Sequence, residues 1–195
     1  MKQYRYIASE LRAAQQDNKL CGYFSVFGPE YKLGYGVSER IDPHAFDETL
    51  RADAGDIRCL WNHNDDIVLG RTGAGTLSLR VDEHGLYGEV TINPDDSDAM
   101  NGLARVRRGD VSQCSFGFEI IEQETLNRGN DVLFTIKQVK LWEVSPVTFP
   151  AYQETAISAR KQDADHLRQR ELEAWKVRMK EKVHGTKSTG GEEEA

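Results

Sequence analysis

Cysteine is scarce in this 195-residue chain: Cys21, Cys59 and Cys114 are its only three, and no two are spaced as a metal or redox pair. That excludes a disulfide framework and leaves no zinc-ligand pattern, so neither metal nor cofactor is expected. No run of about 20 apolar residues occurs, which excludes a membrane-spanning helix. The opening Met1-Lys2-Gln3-Tyr4-Arg5 leads into no apolar signal core. The expectation is a cytoplasmic protein with no membrane partner. Positive charge is also in deficit: the formal net charge is −7, which opposes general attachment to a phosphate backbone, so no specific nucleic-acid partner is expected. The cluster Arg105, Arg107 and Arg108 is a local exception. Met100, Leu103 and Val106 follow helical spacing from a start near Pro94-Asp95, which makes those arginines the solvated side of a short helix capped by Gly109. No internal repeat is present.

What remains is material for one sizeable domain, with 38% hydrophobic residues and five prolines. Strand-like runs cover 20–27, 57–63, 76–81, 85–92, 112–121 and 132–142, and the clusters Asp82-Glu83-His84-Gly85 and Asn127-Arg128-Gly129-Asn130 read as turns. The fold class is therefore a β-rich α+β protein, and closing its strands into a barrel would remove exposed edges. Beyond residue 158 the composition turns charged. A domain over 1–158 is expected, then a helical tail over 159–184, with Leu172, Trp175, Met179 and Val183 as a thin apolar stripe, and a flexible end over 185–195 that lacks apolar content.

Three stretches carry chemistry: Leu60-Trp61-Asn62-His63, Gln113-Cys114-Ser115-Phe116-Gly117-Phe118 and Leu141-Trp142-Glu143-Val144-Ser145-Pro146-Val147. Together they offer a base, a hydroxyl nucleophile and a carboxylate inside segments apolar enough to be buried strands, the inventory of a serine hydrolase. Side chains alternate along a strand, so Cys114, Phe116 and Phe118 share one face and Ser115, Gly117 and Glu119 the other. The first face belongs in a core. The second is small beside Ser115, where a substrate carbonyl would approach, and the alternation turns Cys114 away as a rival nucleophile. Each residue also has an ordinary explanation. Ser115 lacks the G-x-S-x-G elbow, and on its own reads first as a structural strand serine. His63, among Asn62, Asn64, Asp65 and Asp66, reads equally as an exposed strand-end histidine, and Glu143 as a charge at a strand edge.

The order of the short motifs is more specific. Leu60-Trp61-Asn62-His63-Asn64, Leu69-Gly70-Arg71-Thr72, Gly85-Leu86-Tyr87, Arg108-Gly109-Asp110-Val111-Ser112, Ser115-Phe116-Gly117-Phe118 and the run from Glu143 through Pro146-Val147-Thr148-Phe149-Pro150-Ala151-Tyr152 follow one another in the chain. In this order they resemble the prohead maturation proteases of tailed bacteriophages, over about 20–158. The resemblance implies a serine endopeptidase that works in the bacterial host cytoplasm inside the assembling prohead, removing scaffold, or the scaffolding region of the major capsid protein, and itself. Those phage proteins, with self-association, are the implied partners. It further implies a compact, closed or partly closed β-barrel with flanking short helices, related to the herpesvirus assemblins. Position by position, Ser115 matches the family nucleophile, His63 its histidine and Glu143 the acidic third member, which assemblins replace by a second histidine. One departure stands at His44, where family members usually carry glycine. Asp42-Pro43 begins a turn there, so His44 reads as a loop residue.

In such a mechanism His63 accepts the Ser115 proton during attack and returns it to the leaving amine. That needs a neutral imidazole, so activity should fall on acidification. Glu143 would hold the ring tautomer. Two other classes fit the same chain: a catalytically silent assembly factor that uses a protease-like barrel to bind capsid or scaffold, and a cytosolic esterase, which the missing elbow disfavours.

Overall fold

A computed structural model of the protein describes residues 3–7, 11–13, 17–51, 55–149 and 154–185. The flexible end expected over 185–195 lies, beyond Gly185, outside the described residues, as does the motif portion Pro150-Ala151-Tyr152. Among the described residues, eleven strands and two α-helices follow in the order β1 (Gln3–Ile7), β2 (Arg12–Ala13), β3 (Lys19–Val26), β4 (Tyr31–Gly34), β5 (Val37–Ile41), β6 (Arg58–Trp61), β7 (Asn64–Arg71), β8 (Leu77–Val81), β9 (Gly85–Thr91), α1 (Ser97–Arg108), β10 (Gln113–Asn127), β11 (Val132–Val147) and α2 (Glu154–Gly185).

Two sheets result. The larger has seven strands in the order β1-β10-β11-β5-β4, with β6 also paired to β11 and β7 to β6; the smaller runs β2-β3-β9-β8. The strand-rich α+β class is as expected. The closed barrel is not found among the described residues. The physical reason is the length of β11: its 16 residues bond β10 antiparallel along one side. Along the other they take β5 in parallel at Val132–Ile136 and β6 in parallel at Glu143–Val144. That side therefore forks instead of curling round to meet β1.

One core joins both sheets. Phe116, Phe118 and Cys114 of β10 are fully buried against Leu20 and Phe24 of β3 and Leu86 and Val90 of β9. The alternation read from the sequence therefore places the large face of β10 inward. Helix α1 forms where the apolar spacing requires it. The Asp96 side chain accepts from the amides of Asp98 and Ala99, Gly109 ends the helix at φ 85°, and Ala99, Gly102, Leu103 and Val106 are buried. At Gly102 a Cβ would come 2.9 Å from the Trp61 ring, so the helix rests on the end of β6.

Helix α2 docks through Ala164 and Leu167, which join a second small core with Leu33, Val37, Val132 and Phe134. The stripe residues Leu172, Trp175 and Met179 are exposed, and the side chain of Val183 lies outside the described residues. No described helix is long and apolar enough to cross a membrane.

Candidate active site

His63 is delivered by a hairpin loop and not, as the sequence pattern implies, by the end of a strand. β6 and β7 pair up to Trp61 and Asn64, leaving Asn62 and His63 as the two loop residues. Their φ values are 53° and 60°. A two-residue loop whose central residues both have positive φ matches the right-handed twist of the flanking strands. Left-handed backbone costs a non-glycine residue roughly 1–2 kcal/mol, so the loop needs external support. The end of β11 supplies it. Asn62 N–H donates to the Pro146 carbonyl at 3.0 Å. The Asn62 side chain accepts from Thr148 N–H at 2.8 Å and donates to Thr148 Oγ1 at 3.2 Å.

The loop lowers the imidazole onto β11. His63 Nδ1 lies 2.7 Å from Glu143 Oε1. Glu143 is not the strand-edge charge that an isolated reading allows: it is 2% exposed, between Gly117 of β10 and Arg58 of β6. Its second oxygen accepts from Ser145 Oγ at 2.6 Å, and the same Oγ accepts from His63 N–H at 3.3 Å. Ser145 is fully buried. It therefore ties the carboxylate to the backbone of the residue that the carboxylate holds. His63 itself is partly shielded, its side chain 18% exposed. Its Nε2 is buried without a hydrogen-bond partner among the described residues, which leaves the outer ring nitrogen open for another group.

Ser115 belongs to the same patch. In the β10–β11 ladder Ser115 lies opposite Ser145 and Gly117 opposite Glu143, so all four point to one face. Gly117 leaves the space that the Glu143 carboxylate and the Tyr4 ring fill, since a Cβ there would overlap Glu143 Oε1 and come 3.0 Å from Tyr4 Cε1. The open approach expected beside Ser115 is occupied. Ser115 is fully buried and its Oγ donates to the Arg5 carbonyl of β1 at 2.8 Å. Tyr4 of the same strand sets its ring 4.4 Å from the His63 ring, tilted by 60°.

The other candidates fall away from this patch. The His44 side chain is 83% exposed and pairs with Asp47, as a loop residue would. Cys59 and Cys114 are buried thiols, neither held in a disulfide. Burial, reinforced by the neighbouring Cys114 and by Glu143, pushes the Cys59 thiol well above its ordinary range, so it carries no thiolate for nucleophilic work. Ser145, Asn62, Thr148 and Tyr4 escape a reading from sequence. Ser145 and Thr148 stand in a motif run whose apolar neighbours mask them, and nothing in the sequence signals that Tyr4 meets His63.

Comparison with known proteins gives the chain a family. The family model described as caudovirus prohead serine protease matches residues 4–170. A prohead protease of Enterobacteria phage HK97 is 28% identical over 169 residues, spanning 86% of this chain and 69% of that protein. No solved structure matches the chain. The match takes in every strand from β3 to β11 and all of His63, Ser115, Glu143 and Ser145, and the chain belongs to the caudovirus prohead serine protease family.

Proposed function

We propose that the protein is a serine endopeptidase of phage prohead maturation. It cleaves scaffold, or the scaffolding region of the capsid protein, and itself. Ser115 is the nucleophile, His63 the general base and Glu143 the carboxylate that orients the base. The observation that carries this reading is the part-buried pair of His63 Nδ1 and Glu143 Oε1 at 2.7 Å, with Nε2 left unpartnered among the described residues. A carboxylate on Nδ1 keeps the proton on that nitrogen and leaves Nε2 as the acceptor that a serine hydroxyl needs. The rest follows from acid–base chemistry. As Ser115 Oγ attacks the scissile carbonyl, its proton passes to Nε2. The imidazolium that forms is stabilised by Glu143, and the proton then moves to the leaving amine.

The test is co-expression with the capsid and scaffold proteins of the same phage, comparing wild type with Ser115→Ala by intact-mass analysis. Discrete shortened products with wild type only are the expected result, and their termini define the specificity. Identical uncut proteins from both, with particles still assembling, would replace the reading by that of a silent assembly factor.

Ser145 has a positioning role in the same scheme. Ser145→Ala removes the partner of Glu143 Oε2 and of the His63 amide. A hydrogen bond to a charged group contributes about 1.5–3 kcal/mol, so its loss in the transition state lowers turnover roughly tenfold to a hundredfold. Ser145→Thr should restore part of the rate. A fall in thermal stability with kcat intact would show that Ser145 serves the fold alone.

A further inference from the structure

We propose that the stretch of β10 now covered by β1 is the seat of the substrate peptide, and that Glu39 selects a basic residue there. This rests on the assignment of Ser115 as nucleophile. β1 lies antiparallel on β10 from Gln3 opposite Phe118 to Ile7 opposite Cys114. It presents extended main chain to the nucleophile, the form in which a peptide substrate adds to a sheet edge. The carbonyl that reaches Ser115 Oγ, at 2.8 Å, belongs to Arg5. The side chain of that same residue enters the protein. Its guanidinium pairs with the Glu39 carboxylate, one contact being Nη2 to Oε2 at 2.8 Å, and lies 5.5 Å from the Phe118 ring centroid. Arg5 is 6% exposed and Glu39 2%.

Two properties follow from this arrangement. While Ser115 donates to Arg5, its proton is turned to a carbonyl and not to His63, whose Nε2 has no hydrogen-bond partner among the described residues. Tyr4 meanwhile rests on the imidazole. The chain holds its own site closed, and a substrate strand must take the place of β1. The incoming strand then inherits the environment of Arg5. Removing Arg5 takes its guanidinium from the buried Glu39 carboxylate, and breaking a buried ion pair by removing one member is strongly unfavourable. A strand that brings Lys or Arg to that position restores the pair, and one that brings Glu or Leu does not. The substrate class is thus an extended peptide whose basic residue offers its carbonyl to Ser115.

The test uses the reaction of Ser115 with a fluorophosphonate probe, read by intact mass, in the wild-type chain, a chain lacking Met1–Ile7, and the full-length variant Tyr6→Pro. Proline cannot donate to the ladder and loosens β1 while Arg5 stays in place. Labelling should quicken about tenfold or more in each folded variant, as the competent fraction rises. The peptide Gln-Tyr-Arg-Tyr-Ile, added to the shortened chain or to Tyr6→Pro, should slow it again, and Gln-Tyr-Glu-Tyr-Ile should not. If the shortened chain fails to fold, Tyr6→Pro decides alone. Unchanged labelling in a folded variant overturns the proposal, as does equal protection by the two peptides. Should no form label at Ser115, with Ser115→Ala as the reference, the nucleophile assignment falls and this inference with it.

Discussion

Replacing Glu143 by glutamine is expected to lower turnover on the order of 10⁴-fold, the size of effect seen when the acid of a Ser-His-acid site becomes an amide. The change is nearly isosteric, and the hydrogen bonds around Glu143 dictate its outcome. Ser145 Oγ accepts from His63 N–H and spends its own proton on Glu143 Oε2. A glutamine therefore turns its oxygen to Ser145 and its NH₂ to His63 Nδ1. That nitrogen must then accept, the ring proton moves to Nε2, and Nε2 can no longer take the proton of Ser115. Two measurements separate this from damage to the fold: turnover of the cleaved capsid or scaffold substrate, and the imidazole ¹⁵N shifts, which report which nitrogen carries the proton. A loss smaller than about tenfold, with the tautomer unchanged, would mean that Glu143 does not orient the base.

The parts of this site that could be read from the sequence are those governed by local pattern. Alternation along 112–121 places Cys114, Phe116 and Phe118 inward, and all three are fully buried. Helical spacing from a start near Pro94-Asp95 to the cap at Gly109 marks α1, whose N-cap in the structure is Asp96. The hairpin loop at Asn62-His63 was not legible, because such a loop is usually announced by glycine. Here Asn62 and His63 are held at positive φ by bonds to Pro146, Thr148 and Ser145 instead. The burial of Glu143 was not legible either. A glutamate between Trp142 and Val144 looks like an edge charge until β10 and β6 are found on either side of it.

Distance along the chain explains the rest. The contact between His63 and Glu143 spans 80 residues, and that between Arg5 and Ser115 spans 110. No periodicity reports a pairing of that range. Five residues at Gln3–Ile7 are too short and too polar to be read as a strand that pairs with β10 beside Ser115. The closed barrel expected from the sequence is not found among the described residues, for a related reason. Strand count and edge protection favour closure, but register and forking are tertiary properties, and the fork of β11 between β5 and β6 depends on a strand length that the sequence pattern underestimates.

Gly117→Ala is expected to remove about 10²-fold of the turnover, because a misplacement of about 1 Å in a catalytic group costs that much. Alternation explains only why a small residue suits the face beside Ser115. The structure adds the neighbour that makes glycine necessary: the new Cβ would overlap Glu143 Oε1, the atom that holds His63 Nδ1. The carboxylate can move, since it is the end of a flexible side chain, but its other oxygen is tied to Ser145 and its surroundings are closed. Relief therefore comes by drawing Oε1 away from the histidine or by pushing Tyr4, 3.0 Å from the new atom, off the ring that it covers. The fold should suffer less than the chemistry, by about 1–3 kcal/mol for the extra methyl in a packed site. Thermal melting and kcat measured on the same preparation distinguish the two costs. A lowered Tm with unchanged kcat would reduce Gly117 to a packing residue. A large fall in kcat with a small change in Tm is the result that places its missing side chain in the geometry of catalysis.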